Sequence, residues 1–190
     1  YLRVAEDENG NGIYNKCNSA YLRGGPVAAV SMLNTNLDLD IQNYITVDFA
    51  ALSEAVDCLG GLDVDMSYEE IEHTNNYCVG TSEQTGGDYT PIEKPPVPED
   101  QSKIIGTYHL NGIQITSYCR IRKTASMDMG RTQRQRYILN LMADKAKKSN
   151  LTTLNKVVDR VFPLVETNFS KSELVKLGSG LLSYKLPENI

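Results

Sequence analysis

Residues 44–66 constrain the fold more than any other part of this chain. Tyr44, Thr46 and Asp48 alternate with Ile45, Val47 and Phe49, the period-two pattern of a strand. Ala50 to Leu59 then reads as a helix, and Gly60-Gly61 supplies the left-handed stop that commonly ends one. Leu62 to Met66 is a second short strand. Strand, helix, glycine stop, strand is a βαβ pattern. It implies an α/β fold, a central mixed sheet flanked by helices. A chain of 190 residues is long enough to bury one such core. We expect residues 1–190 to form that single domain, with a long polar insert at 67–106 and a helical part at 150–190.

The remaining elements are read the same way. Residues 1–24 look irregular, with a hairpin or surface turn at Glu6 to Gly12. Asp7, Asn9, Asn11 and Gly12 imitate a calcium loop, but its twelfth position is Asn18 where a bidentate Glu is required. Gly24-Gly25-Pro26 opens a helix to about Asn36, with Pro26 where its missing N–H costs nothing. The insert holds Gly86-Gly87, Pro91, Pro95, Pro96 and Pro98, and one short helix from Ser67 to Thr74. After it, a short helix leads into a strand from Tyr118 to Arg122 and a loop to Gly130. Amphipathic helices follow at Arg131–Lys148, Thr152–Leu164 and Ser170–Ser183, the last with a capping box of Ser170 and Glu173.

Charge is distributed unevenly. Residues 1–102 carry a net charge of −14, whereas residues 103–148 carry 10 Lys/Arg against 2 Asp/Glu. The acidic total argues against nucleic acid as a partner. A basic block inside an acidic protein fits either a local anionic ligand or a solvated helix face. The cysteines Cys17, Cys58, Cys78 and Cys119 form no CxxC, and the only histidines are His73 and His109, so zinc-site spacing is absent. Cys119 reads as a small core residue. Cys58 and Cys78 could pair in an oxidising compartment, a connectivity that sequence leaves open. No apolar run approaches the roughly 20 residues that span a bilayer. The chain opens on Tyr1, which reads as a fragment or trimmed chain, with any anchor or address removed.

Within the basic block, Arg120 and Arg122 stand two apart in the expected strand and so share a face. Two guanidiniums on one face repel unless an anion lies between them, and their planar forks suit phosphate oxygens. Arg131, Arg134 and Gln135 stand at i, i+3 and i+4 of the expected helix start. Arginines there oppose the helix dipole, and a bound anion would reverse the sign of that interaction. Ile138, Leu141 and Met142 continue the face as an apolar tail. The stripe matches a ligand with a phosphate head and a hydrocarbon chain, or else those three residues simply pack the core.

Here the sequence resembles a known family. His109-Leu110-Asn111-Gly112, Tyr118-Cys119-Arg120-Ile121-Arg122 and Asp128-Met129-Gly130-Arg131-Thr132-Gln133-Arg134-Gln135 resemble the signature of LytR-CpsA-Psr proteins. That signature reads approximately HLNG, YxRxR and DxGRxxRQ. Asn15 to Tyr21, Tyr44 to Phe49 and Val56 to Val64 are similar to further segments of the family.

The resemblance implies a bacterial cell-wall phosphotransferase, anchored by an N-terminal transmembrane helix at the extracellular face of the cytoplasmic membrane. Its substrate would be a polyprenyl-pyrophosphate-linked glycopolymer, such as teichoic acid or capsule, and its acceptor peptidoglycan. A sugar hydroxyl would attack the phosphorus next to the glycan, and polyprenyl phosphate would leave. Arg120, Arg122 and Arg131 would be catalytic. With Gln135 and Arg134 they would hold the pyrophosphate, and Lys16 is a further candidate near the head group. Ile138, Leu141 and Met142 would line a lipid tunnel. The family's Mg²⁺ ligands and one more arginine would precede Tyr1, so no metal is assigned to Asp48, Asp57, Asp63 or Asp65. The alternative is a non-catalytic binder of polyprenyl phosphates or wall polymers.

Overall fold

The structure, a computed structural model, describes residues 1–122 and 127–181. Along the chain run β1 (Leu2–Glu6), β2 (Gly12–Asn15), α1 (Asn18–Leu37), β3 (Ile45–Thr46), α2 (Phe49–Cys58), β4 (Leu62–Ser67) and α3 (Tyr68–Thr85). They are followed by β5 (Ile104–Leu110), α4 (Gly112–Arg120), α5 (Met127–Lys148), α6 (Leu151–Val161), a 3-10 turn (Phe162–Leu164), β6 (Glu166–Thr167) and α7 (Lys171–Leu181). The described residues make two compact units, Tyr1–Thr46 with Glu166–Lys176, and Val47–Val165 with Leu177–Leu181.

In the first unit β1 and β2 form an antiparallel hairpin. The Asp7 carboxylate closes its turn by accepting hydrogen bonds from the Asn9 and Asn11 amides and the Asn11 side chain. The Asn11 bonds above all hold the Asp7 carboxyl below its ordinary range. These oxygens serve the turn rather than a calcium ion. α1 is broken at Gly24-Gly25, where Gly25 takes φ 64°, and helical geometry resumes at Pro26. Asn36 bonds both the N–H and the carbonyl of Arg3, which fastens α1 to β1 over Val4, Ala20 and Met32. β3 pairs with β6.

The second unit holds the larger core. Asp48 caps α2 by accepting from the Ala51 amide at 2.8 Å. The helix ends at Gly60 and Gly61, both at positive φ, whose carbonyls accept bonds from Lys145 of α5. β4 then turns Leu62, Val64 and Met66 into the core and Asp63 and Asp65 outward. It pairs antiparallel with β5, where Asp63 meets His109 and Asp65 accepts from the Thr107 hydroxyl. Capping boxes start both following helices, Ser67 with Glu70 for α3 and Asn111 with Gln114 for α4. Every residue of α4 from Gly112 to Cys119 is buried. Gly112 is required there, because a Cβ would collide with the Ser53 carbonyl.

The mixed α/β class is thus borne out, with the strands described forming three antiparallel pairs. β3 stops after two residues because Asp48 turns the chain into α2; Val47 and Phe49 are not buried in a sheet. So β3 and β4 do not pair, and the βαβ reading of these residues gives way to two separate antiparallel pairings, β3 with β6 and β4 with β5. α3 runs eleven residues beyond Thr74, and β5 begins inside the expected insert, leaving the loop at 86–103. Tyr118 to Arg122 is not a strand. α4 continues through Arg120, and because all its sides are buried its sequence lacks the amphipathic period that marks a helix. The capping box of Ser170 and Glu173 starts α7, whose expected end at Ser183 lies outside the described residues.

All four cysteines are free thiols, and only Cys17 is exposed. Burial pushes the Cys58 and Cys78 thiols up and that of Cys119 up to about 12. Alkylation of the native protein at pH 8 should therefore label Cys17 alone, and alkylation in denaturant all four, as counted by mass spectrometry. Gly112→Ala should cost about 1–3 kcal/mol by overpacking α4 against α2, measured by urea unfolding.

Candidate functional site

An open cleft of about 640 Å³ lies within the second unit, a volume suited to a small organic ligand. The start of α2 contributes Asp48, Phe49 and Leu52, and α3 contributes Tyr77. The end of α4 contributes Thr116, Cys119 and Arg120, followed by Arg122. One stripe of α5 closes it with Arg131, Gln135, Ile138 and Leu139.

Arg120 is the best-defined cation of the cleft. Its Nη1 donates to the Thr81 hydroxyl at 2.9 Å. Its guanidinium lies 4.5 Å from the centre of the Phe49 ring and 5.8 Å from that of Tyr77. Arg120 joins none of the ion pairs among the described residues. A half-buried positive charge held by aromatic faces and a neutral hydroxyl favours an anion in the cleft. Ile121 beside it is fully buried, so the chain is pinned between Arg120 and Arg122. Both arginines reach the same cleft from a helix end instead of from one strand face.

α5 begins at Met127, so Arg131 lies in its second turn rather than at its first position. The conflict with the helix dipole inferred from sequence is weakened accordingly, since that effect fades beyond the first turn. The side chains of Asp128 and Met129 lie outside the described residues. Arg131, Gln135 and Ile138 stand at i, i+4 and i+7 and line the cleft together. The Gln135 side chain donates to the Cys119 carbonyl at 3.3 Å, joining α5 to the end of α4.

Arg134 does not line this cleft. At i+3 it is turned about 100° from Gln135 around the helix. It is 7% exposed and borders a separate hollow with Glu70. Its guanidinium pairs with Glu70 at 3.3 Å, donates to the Ile121 carbonyl at 3.0 Å and lies 6.0 Å from the Tyr118 ring centre. Glu70 also accepts from the Tyr118 hydroxyl and the Ser67 amide. Burial, with the Glu70 charge beside it, pushes the Tyr118 hydroxyl well above its ordinary range. Arg134 is therefore a buried cation paired with Glu70, outside the lining of the cleft. Leu141 and Met142 pack against the core, while Ile138 serves both the core and the cleft. Lys16 follows β2 in the first unit, exposed, whereas the cleft is built from the second.

Among the described residues the donors of the cleft do not fit a Mg²⁺ ion. They include one carboxylate, Asp48, and its Oδ1 already caps α2. Among the described residues no group of three His, Cys, Asp or Glu is placed to hold a metal. Sequence reasoning missed Phe49, Tyr77 and Thr81. The last two belong to the part of α3 read as a polar loop. The spacing of Ile71, Thr74, Cys78 and Thr81, all buried on one helix face, was the available signal.

A family profile described as the LytR_cpsA_psr family matches residues 2–188. The chain is similar to the polyisoprenyl-teichoic acid–peptidoglycan teichoic acid transferase TagV of Bacillus subtilis, at 30% identity over 97% of this chain and 43% of TagV. It is 28% identical to a TagU transferase of the same description from Enterococcus faecalis, over 90% of this chain and 48% of that protein. The crystal structure of B. subtilis TagV superposes with a TM-score of 0.63 at 27% identity, covering 96% of this chain and 62% of that one. The chain thus spans less than half the length of these curated relatives.

The two arginine environments should separate in unfolding experiments. Arg134→Met strands the largely buried Glu70 carboxylate and should cost about 3 kcal/mol. Arg120→Met removes a cation with no carboxylate partner in the described structure and should cost about 1 kcal/mol or less. Urea midpoints of the two variants check this.

Proposed function

The chain belongs to the LytR-CpsA-Psr family, and from that premise we propose that its protein transfers an anionic glycopolymer from a polyprenyl-pyrophosphate carrier to peptidoglycan. One observation carries the reading. Arg120, Arg122, Arg131 and Gln135 converge on a single cleft that also holds Asp48, Tyr77 and Thr116 and has apolar walls in Phe49, Leu52, Ile138 and Leu139. A cationic head beside apolar walls suits a lipid pyrophosphate, whose charge and hydrocarbon meet at one point.

The chain's own residues would act by position and charge. Guanidinium forks bind phosphate oxygens in two places at once. In phosphoryl transfer, charge spreads over the oxygens of the reacting phosphorus, and preorganised donors stabilise it without further rearrangement. An acceptor sugar hydroxyl attacks the phosphorus next to the glycan; the bond to the bridging oxygen breaks, and polyprenyl phosphate leaves. Arg120 is held before the ligand arrives, so little ordering is lost on binding. No described residue is assigned to the Mg²⁺ that the family resemblance implies. The reading places the site outside the cell, at the membrane where the carrier resides. No helix among the described residues is long and apolar enough to cross a membrane.

The test uses the full-length protein with a lipid-linked donor, peptidoglycan acceptor and Mg²⁺. Release of polyprenyl phosphate with polymer attached to the acceptor is expected. Arg120→Ala or Arg131→Ala should abolish transfer and weaken lipid-pyrophosphate affinity by about 10- to 100-fold with the fold intact. Full activity in either variant removes the site assignment. Tight binding of the lipid without turnover would make the protein a binder.

A further inference from the structure

We propose that Thr81 is a positioning residue that sets which edge of the Arg120 guanidinium faces the anion. The proposal rests on the reading of the cleft as a pyrophosphate site and deepens it. Thr81 is fully buried on α3. Its hydroxyl donates to the Tyr77 carbonyl at 2.9 Å, one helical turn back. It accepts from the Ser117 hydroxyl at 2.9 Å and from Arg120 Nη1 at 2.9 Å. A hydroxyl has one proton and two lone pairs, so these three bonds exhaust its capacity. Its orientation is thereby fixed, and so is the direction in which it holds Nη1.

Phe49 lies against the same guanidinium, with Tyr77 farther off. With Nη1 committed to Thr81 and the planar group held against these rings, the Nε and Nη2 edge is left for the ligand. That edge carries two parallel N–H bonds, the arrangement that grips two oxygens of one phosphate. Without Thr81, the arginine keeps its stacking but can rotate in the ring plane, and the two-bond edge is no longer held towards the cleft. Ser117 contributes by removing the alternative lone pair, so Thr81 has no second way to satisfy itself.

The experiment titrates the chain with farnesyl pyrophosphate by calorimetry. Thr81→Val removes the acceptor at nearly constant volume and should raise Kd roughly tenfold. Thr81→Ser, which keeps the hydroxyl, should bind like the unaltered protein. In an Arg120→Ala background, Thr81→Val should weaken binding no further, a coupling that a general loosening of the core does not produce. Should Thr81→Val fail to fold, Thr81→Cys, a weak acceptor, replaces it with the same expected loss. Unaltered affinity in the valine variant while Arg120→Ala binds weakly overturns the positioning role and leaves the cleft reading standing. Equal losses in both backgrounds, or failure of the serine variant to bind, also overturn it. If Arg120→Ala binds normally, the cleft reading itself falls and the role of Thr81 falls with it.

Discussion

A helix buried on every side can place a charged side chain only beyond its end. α4 is such a helix. Gly112 to Cys119 are all buried, and its neighbours α2, α3 and α5 leave no free flank. The first polar side chain able to leave this core is Arg120, at the last helical position. Ile121 then returns the chain to the core, and Arg122 emerges next. The spacing of the two cations is thus a consequence of core packing. Gly112 makes the close passage against α2 possible, and Asp57 accepts from its amide at 2.7 Å. Loss of that passage would displace the arginines without touching either of them.

Two arginines near this helix end carry the same charge and have opposite fates. Arg134 is matched by Glu70, itself held by the Ser67 cap and by Tyr118. Removing either partner leaves a charge in a poorly solvated place, which is why buried pairs are costly to break even when they add little net stability. Arg120 is instead held by rings and a hydroxyl, which stabilise its position without cancelling its charge. The difference separates a cation that holds the fold from one that can serve a ligand. Arg134 still matters to the cleft, since its bond to the Ile121 carbonyl fixes the backbone between Arg120 and Arg122.

Much of this was legible in the residues, for local reasons. The glycine stop at Gly60-Gly61 and the capping box at Ser170 are set within a few positions of themselves, and each stands where the pattern put it; helical geometry also runs on from Pro26, although α1 already begins at Asn18 in the stretch read as irregular. The convergence of Arg120, Arg122, Arg131 and Gln135 on one cleft was also legible as a motif. Burial was not. Helix α4 hides its period because all its faces are covered, so Tyr118 to Arg122 reads as an alternating strand. α3 hides for the opposite reason: Thr74, Cys78 and Thr81 are buried small or polar residues that a hydropathy pattern scores as loop. The α4 error arises from tertiary contacts that no short window contains, whereas in α3 the helical spacing was present but carried by small and polar residues, which concealed Thr81.

The chemistry of the cleft follows from what surrounds its charge. An exposed arginine cluster in water binds phosphate weakly, because solvent screens it and bonding must displace tightly held water. Here Phe49 and Leu52 border the half-buried Arg120, and a lower local dielectric on that side would strengthen a bond from its guanidinium to an anion. The same apolar walls would be a liability without a ligand to cover them. A free inorganic anion would satisfy the arginines and leave those walls wet; a pure hydrocarbon would cover the walls and leave the charge uncompensated. On the proposed reading a molecule with both parts joined answers both demands, with phosphate towards Arg131 and chain towards Ile138 and Leu139 along the α5 stripe.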